Sequence, residues 1–134
     1  MQQYSINNRG LPLVFMGDML AHESSNQDSD RWTEFEIFYT EKNSFVLNVI
    51  SVWADGTEKN RSFVCQDFFE LFECLKHPKF QTLSFAAQRA YNAALDAAKE
   101  AGIVDGGIYE VDFTKHTQKH DERGIRDFDF SEEP

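Results

Sequence analysis

The chain has 134 residues, a formal net charge of −10, 41% apolar residues and thirteen Phe. That length fits one domain, and the large apolar mass excludes a disordered chain and predicts a core without metals or disulfides. The charge is uneven: residues 1–75 hold 12 acids against 5 bases, residues 76–126 hold 7 against 8, and the last eight hold 4 against none. An acidic surface repels phosphate, so direct nucleic-acid and anionic-membrane binding are not expected, and a basic partner is.

Residues 1–10 read as polar and irregular. The apolar run from Leu11 to His22 begins as a strand, with Gly17 as a candidate bulge. Residues 24–30, which include Asp28 and Asp30, form a loop of turn-forming residues. In Arg31–Thr40 a period of two sets Phe35, Ile37 and Tyr39 against Glu34, Glu36 and Phe38, predicting a strand with one buried face. A turn at 41–44 leads to a β-branched and aromatic strand over Phe45–Trp53. Asp55-Gly56 predicts a tight hairpin turn, and Arg61–Cys65 a shorter strand.

The period then changes. From Asp67 onward, Phe68, Leu71, Phe72 and Leu75 share a helical face, with Asp67, Glu70 and Glu73 toward the positive end of the helix dipole. His77-Pro78 ends this helix. A second helix is predicted over about Leu83–Ala101, with Ala87, Tyr91, Ala94 and Ala98 as its stripe and Gly102 as its stop. In Ile108–Phe113, Tyr109, Val111 and Phe113 alternate with acids, which predicts another strand. The fold class is α+β: an antiparallel meander of four to five strands with two helices on one face. Residues 1–126 form the single domain and 127–134 an acidic aromatic tail.

Catalytic motifs are sparse. There is no phosphate-binding glycine loop and no Gly-x-Ser-x-Gly turn. His116 and His120 are four apart, a zinc-compatible helical spacing, with Cys74 and His77 earlier. Lys115, Lys119 and Arg123 around them repel a cation, so no metal or cofactor is expected. Cys65 and Cys74 read as core thiols. One disulfide is arithmetically possible, but no secretory leader is evident, so reduced thiols in a cytoplasm are expected. No apolar run reaches the roughly 18 residues that span a bilayer.

Binding residues are better marked. Glu34 and Glu36 point to one strand face about 7 Å apart, with no His or aromatic neighbour expected there. That interval is close to every second phosphate of a nucleic-acid strand. With Asp28, Asp30, Glu70 and Glu73 they are expected to share one acidic surface, suited to a basic nucleic-acid channel of another protein. In the tail, Asp127, Phe128, Asp129 and Phe130 form either a short linear motif, with Phe anchors and an acidic rim, or a final edge strand. The tail is similar to the acidic tips of bacterial single-strand-binding proteins, but it ends in Pro134 rather than Phe.

Gly17–Ser25, Arg31–Thr40 and Phe45-Val46 resemble a group of small uncharacterised bacterial proteins, often from plasmids and phages. Their pattern runs Gly-Glu-Leu-Leu-Ala-Glu-x-Ser-Ser, then Arg-Trp-Thr-Glu-x-x-Ile-Tyr-x-Thr, then Tyr-Val. The resemblance covers about residues 11–65, with departures at Asp18, His22 and Phe38. It implies a mobile-element origin and carries over no catalytic residue. The expected function is therefore a non-enzymatic acidic binding protein, an inhibitor of a host nucleic-acid-binding defence complex. The alternatives are an accessory or structural subunit, or a small metal-assisted hydrolase using carboxylates with His116 or His120.

Overall fold

The protein is described by a computed structural model covering residues 1–8, 10–25 and 29–113. Five strands, β1 (Gln2–Asn8), β2 (Leu11–Ser24), β3 (Arg31–Thr40), β4 (Phe45–Trp53) and β5 (Glu58–Cys65), form one antiparallel sheet in chain order. Two helices follow, α1 (Phe68–Leu75) and α2 (Phe85–Glu100), and then a short 3-10 turn, Gly106–Ile108. This is the expected α+β meander at its upper strand count. Among the described residues, no helix is long and apolar enough to cross a membrane.

Local chemistry explains the joints. At the β4–β5 hairpin Gly56 takes φ 91°, its N–H donates to the Trp53 carbonyl, and Asp55 Oδ1 accepts from Thr57 N–H. The Asp67 side chain caps α1 by accepting from Glu70 N–H, and Ser84 caps α2 by accepting from Ala87 N–H. Beyond α2, Gly102 lies in the left-handed region at φ 73° and ends the helix, with Ile103 N–H bonded back to the Ala98 carbonyl.

Both helices lie on one face of the sheet. α2 crosses β2 and β3, while α1 lies against β4 and β5. Ala86, Ala87, Ala90, Ala94 and Ala98 are fully buried, so α2 presents methyl groups that permit a close approach to β2 and to the β3 strand that carries Phe35 and Ile37. Phe68 fills the junction, edge-on to Phe45 and to Tyr91, whose ring planes lie at 68° and 83° to its own.

Four local expectations are corrected. Residues 2–8 are a strand rather than irregular: Tyr4 and Ile6 alternate with polar residues, and pairing with β2 from Gln2↔Gly17 to Asn8↔Leu11 supplies the order. The irregularity in β2 falls between Met19 and Ala21, not at Gly17. Gly17 is instead a point of close approach, where a Cβ would stand 2.4 Å from the Tyr39 carbonyl oxygen. Residues 108–113 pair with no strand among the described residues. Tyr109 and Phe113 lean on Phe68, Phe72 and Tyr91, and the Tyr91 hydroxyl donates to the Tyr109 carbonyl. Their alternation reflects side chains seated on the helices. Finally, Phe38 belongs to the face away from the helices yet is only 1% exposed, because Tyr4 and Phe15 cover it at ring-centroid distances of 4.6 and 5.2 Å.

Candidate functional site

The second face of the sheet is where the sequence-predicted acids of β3 lie. Strand alternation puts Trp32, Glu34, Glu36 and Phe38 on this face, and the helices leave it open. Contrary to expectation, the two carboxylates have aromatic and His neighbours. Glu34 Oε1 lies 3.1 Å from His22 Nε2, and its Oε2 accepts from Trp32 Nε1 at 2.9 Å. The shift between Met19 and Ala21 makes this pairing possible by placing His22 opposite Glu36 and Ser24 opposite Glu34.

Glu36 belongs to a second network. Asn48, 4% exposed, donates from Nδ2 to Glu36 Oε1 at 3.1 Å. Its Oδ1 accepts from Asn60 Nδ2 at 2.9 Å and from Ser62 Oγ at 3.3 Å. Asn60 and Ser62 also donate to the Asn7 carbonyl of β1. The two outer strands are thus tied across the open face, and the sheet curls into a half-barrel. Asn48 thus has partners at both its Nδ2 and its Oδ1, which offsets its desolvation.

Next to the networks is a groove of about 260 Å³, lined by Leu13 and Phe15 of β2, Thr40 of β3, Val46 of β4 and Val64 of β5, with Glu41, Lys42 and Ser44 at its rim. Val14 and Val64, which also line it, are each more than half exposed. Exposed apolar side chains clustered at a concavity mark a surface suited to a partner.

The charge of this face is one-sided. Its strand positions contribute Glu34, Glu36 and Glu58, and neither Lys nor Arg among the described residues. The bases of the same strands turn the other way: Arg31 lies 5.8 Å from the Trp53 ring centroid, and Arg61 5.9 Å from that of Phe63.

The other predicted acids do not join this surface. Glu70 and Glu73 stand on α1, behind the sheet. There Glu70 accepts from Gln66 N–H, and Glu73 pairs with Lys76 at 2.9 Å. The expected single surface uniting strand and helix acids is therefore not formed, because the sheet separates them. Asp30 is exposed in the turn before β3, where its carbonyl accepts from Ala54 N–H. Asp28, His116, His120 and the tail residues Asp127, Phe128, Asp129 and Phe130 lie outside the described residues. Among those described, no group of three or more His, Cys, Asp and Glu is arranged to hold a metal ion.

Sequence reasoning missed His22, Asn48, Asn60 and Ser62 as members of this face. Trp32 was legible, since it stands two residues before Glu34 on one strand. His22 was not, because its side depends on where β2 shifts register. Comparison with family models, with curated proteins and with solved structures finds no match for the chain.

Proposed function

We propose that this chain is an acidic, non-enzymatic protein-binding domain that grips a cationic protein surface through the open face of its sheet. The observation that carries the reading is the segregation of charge on β3 and β5, with carboxylates at the strand positions of the open face and bases on the other, beside an apolar groove. Such a surface supplies both halves of a binding interface. The groove takes an apolar or aromatic anchor, and the carboxylates steer and register a basic rim.

The resemblance to plasmid and phage proteins gives the partner its class. Glu34 and Glu36 alternate at a spacing that fits a groove built for phosphates, so the domain acts as a mobile-element inhibitor of a host nucleic-acid-binding complex in the cytoplasm. His22, Trp32 and Asn48 hold the two carboxylates in fixed directions, which limits the side-chain entropy lost on binding.

The test is capture from a bacterial lysate at low and at high salt, with the wild-type chain and the double substitution Glu34→Gln, Glu36→Gln. Glutamine removes the charge and keeps a carbonyl acceptor for Asn48 and Trp32. A basic nucleic-acid-binding protein should be retained at low salt and lost at high salt. The double variant should bind it roughly tenfold or more weakly. Capture that is indifferent to salt and to both substitutions, or no partner at either salt, overturns the reading. The exposed apolar residues at the groove also suit an accessory subunit that pairs with its own copy, and a light-scattering mass of one chain removes that alternative.

A further inference from the structure

The chain's two cysteines come from different elements and meet. Cys65 ends β5 and is fully buried, whereas Cys74 lies in the last turn of α1 and is partly exposed. Their sulfurs are 3.7 Å apart, with the Cys65 thiol donating toward Cys74. Both are free thiols. A disulfide needs about 2.05 Å between sulfurs, so roughly 1.6 Å of closure is required.

We propose that Cys65 and Cys74 form a site of reversible oxidation, closed into an intramolecular disulfide by exchange with a low-molecular-weight disulfide. The inference stands apart from the binding reading, because the pair lies behind the sheet, on the helix side. It also revises the expectation of two inert core thiols.

The two cysteines differ in the ways the exchange requires. Cys74 is reachable from solvent, and the hydrogen bond it receives from Cys65 holds its thiol below the ordinary value, although burial and the carboxylates of Glu70 and Glu73 oppose this. Cys65 is pushed the opposite way, first by giving its hydrogen to Cys74 and then by burial. Cys74 is therefore the thiolate that attacks and Cys65 the thiol that resolves.

In the first step the Cys74 thiolate forms a bond to one sulfur of the small disulfide. The sulfur–sulfur bond of that molecule breaks, and one thiolate leaves with the electron pair. In the second step Cys65 gives up its proton to solvent, and its sulfur bonds to Cys74, releasing the second small thiolate. Two protein thiols are oxidised, and one disulfide is reduced to two thiols. The product joins the end of β5 to the last turn of α1 across the segment 66–73, and so fixes the helix to the strand that carries Asn60, Ser62 and Val64.

The experiment equilibrates the folded full-length chain with reduced and oxidised glutathione in varied ratio, then quenches with acid, alkylates free thiols under denaturing conditions and measures intact mass. The expected product is a monomer about 2 Da lighter than the reduced chain, resistant to alkylation and fully recovered by dithiothreitol. Cys65→Ser should stop at a stable glutathione adduct on Cys74. Cys74→Ser should form little adduct, since Cys65 is shielded. Disulfide-linked dimers, adducts on both cysteines of the wild type, or no mass loss at oxidising ratios would overturn the proposal. The wild-type mass decides the matter even if a variant fails to fold.

Discussion

Leu47 and Asn48 are neighbours in β4, both buried, and they lie on opposite faces of one sheet. Leu47 belongs to the apolar core beneath the helices. Asn48 meets Glu36, Asn60 and Ser62. One face is closed by apolar contact with helices. The other is closed at its centre by hydrogen bonds and at one end by three aromatic rings, and elsewhere it stays accessible. The contrast teaches how a small acidic domain provides a binding surface without losing its core. Helices concentrate the apolar burial on one side, and directional polar contacts hold the curl of the other.

Substitutions on the two faces should separate in size and in kind. The largest effect is expected for Leu47→Ala, which opens a cavity in the core beneath the helices and should cost about 2–5 kcal/mol in chemical denaturation. Asn48→Ala should cost less, about 1–3 kcal/mol, because it strips a donor from Glu36 and an acceptor from Asn60 and Ser62. Its signature is local: amide exchange along β1 should speed up while exchange in β3 stays near wild type, since the tie from β5 to Asn7 is loosened. A uniform rise in exchange across the sheet would show that the network serves the whole fold rather than the curl.

The smallest effect sharpens the comparison from the covered side, where one phenol reaches a carbonyl. Tyr91→Phe removes the bond to the Tyr109 carbonyl and should cost about 1 kcal/mol near neutral pH. Burial, and then the neighbouring Tyr109, push the Tyr91 phenol up to about 12. An unfolded tyrosine titrates at about 10, so between the two values the folded chain retains a proton that the unfolded chain loses. Stability should therefore fall as pH rises from about 10 to 12, and urea melts of Tyr91→Phe should show a shallower fall over that window.

Particular residues show how far the sequence carried. The alternation of Phe35, Ile37 and Tyr39 marked β3 and its core face, because side-chain direction in a strand repeats every two residues whatever the partner. The stripe of Ala87, Tyr91, Ala94 and Ala98 marked α2 for the equivalent helical reason, and Asp55-Gly56 marked its hairpin through backbone freedom at the turn. The same periodicity misled at Tyr109, Val111 and Phe113, where alternate side chains lean on the helices without any strand pairing. It also passed over β1, whose polar residues hide an alternation that pairing with β2 makes structural.

The chain's own pattern determined the type of β2 to β5 and of both helices, their core-facing residues and the net acidity, since each follows from local spacing or composition. Tertiary structure alone decided which acids are neighbours. Glu36 finds Asn48 across a strand pair, His22 reaches Glu34 because β2 shifts register, and Glu70 and Glu73 end behind the sheet that carries Glu34 and Glu36. Cys65 meets Cys74 for the same reason. Register, curl and helix docking are set by contacts between residues distant in the chain, and local periodicity holds no information about them.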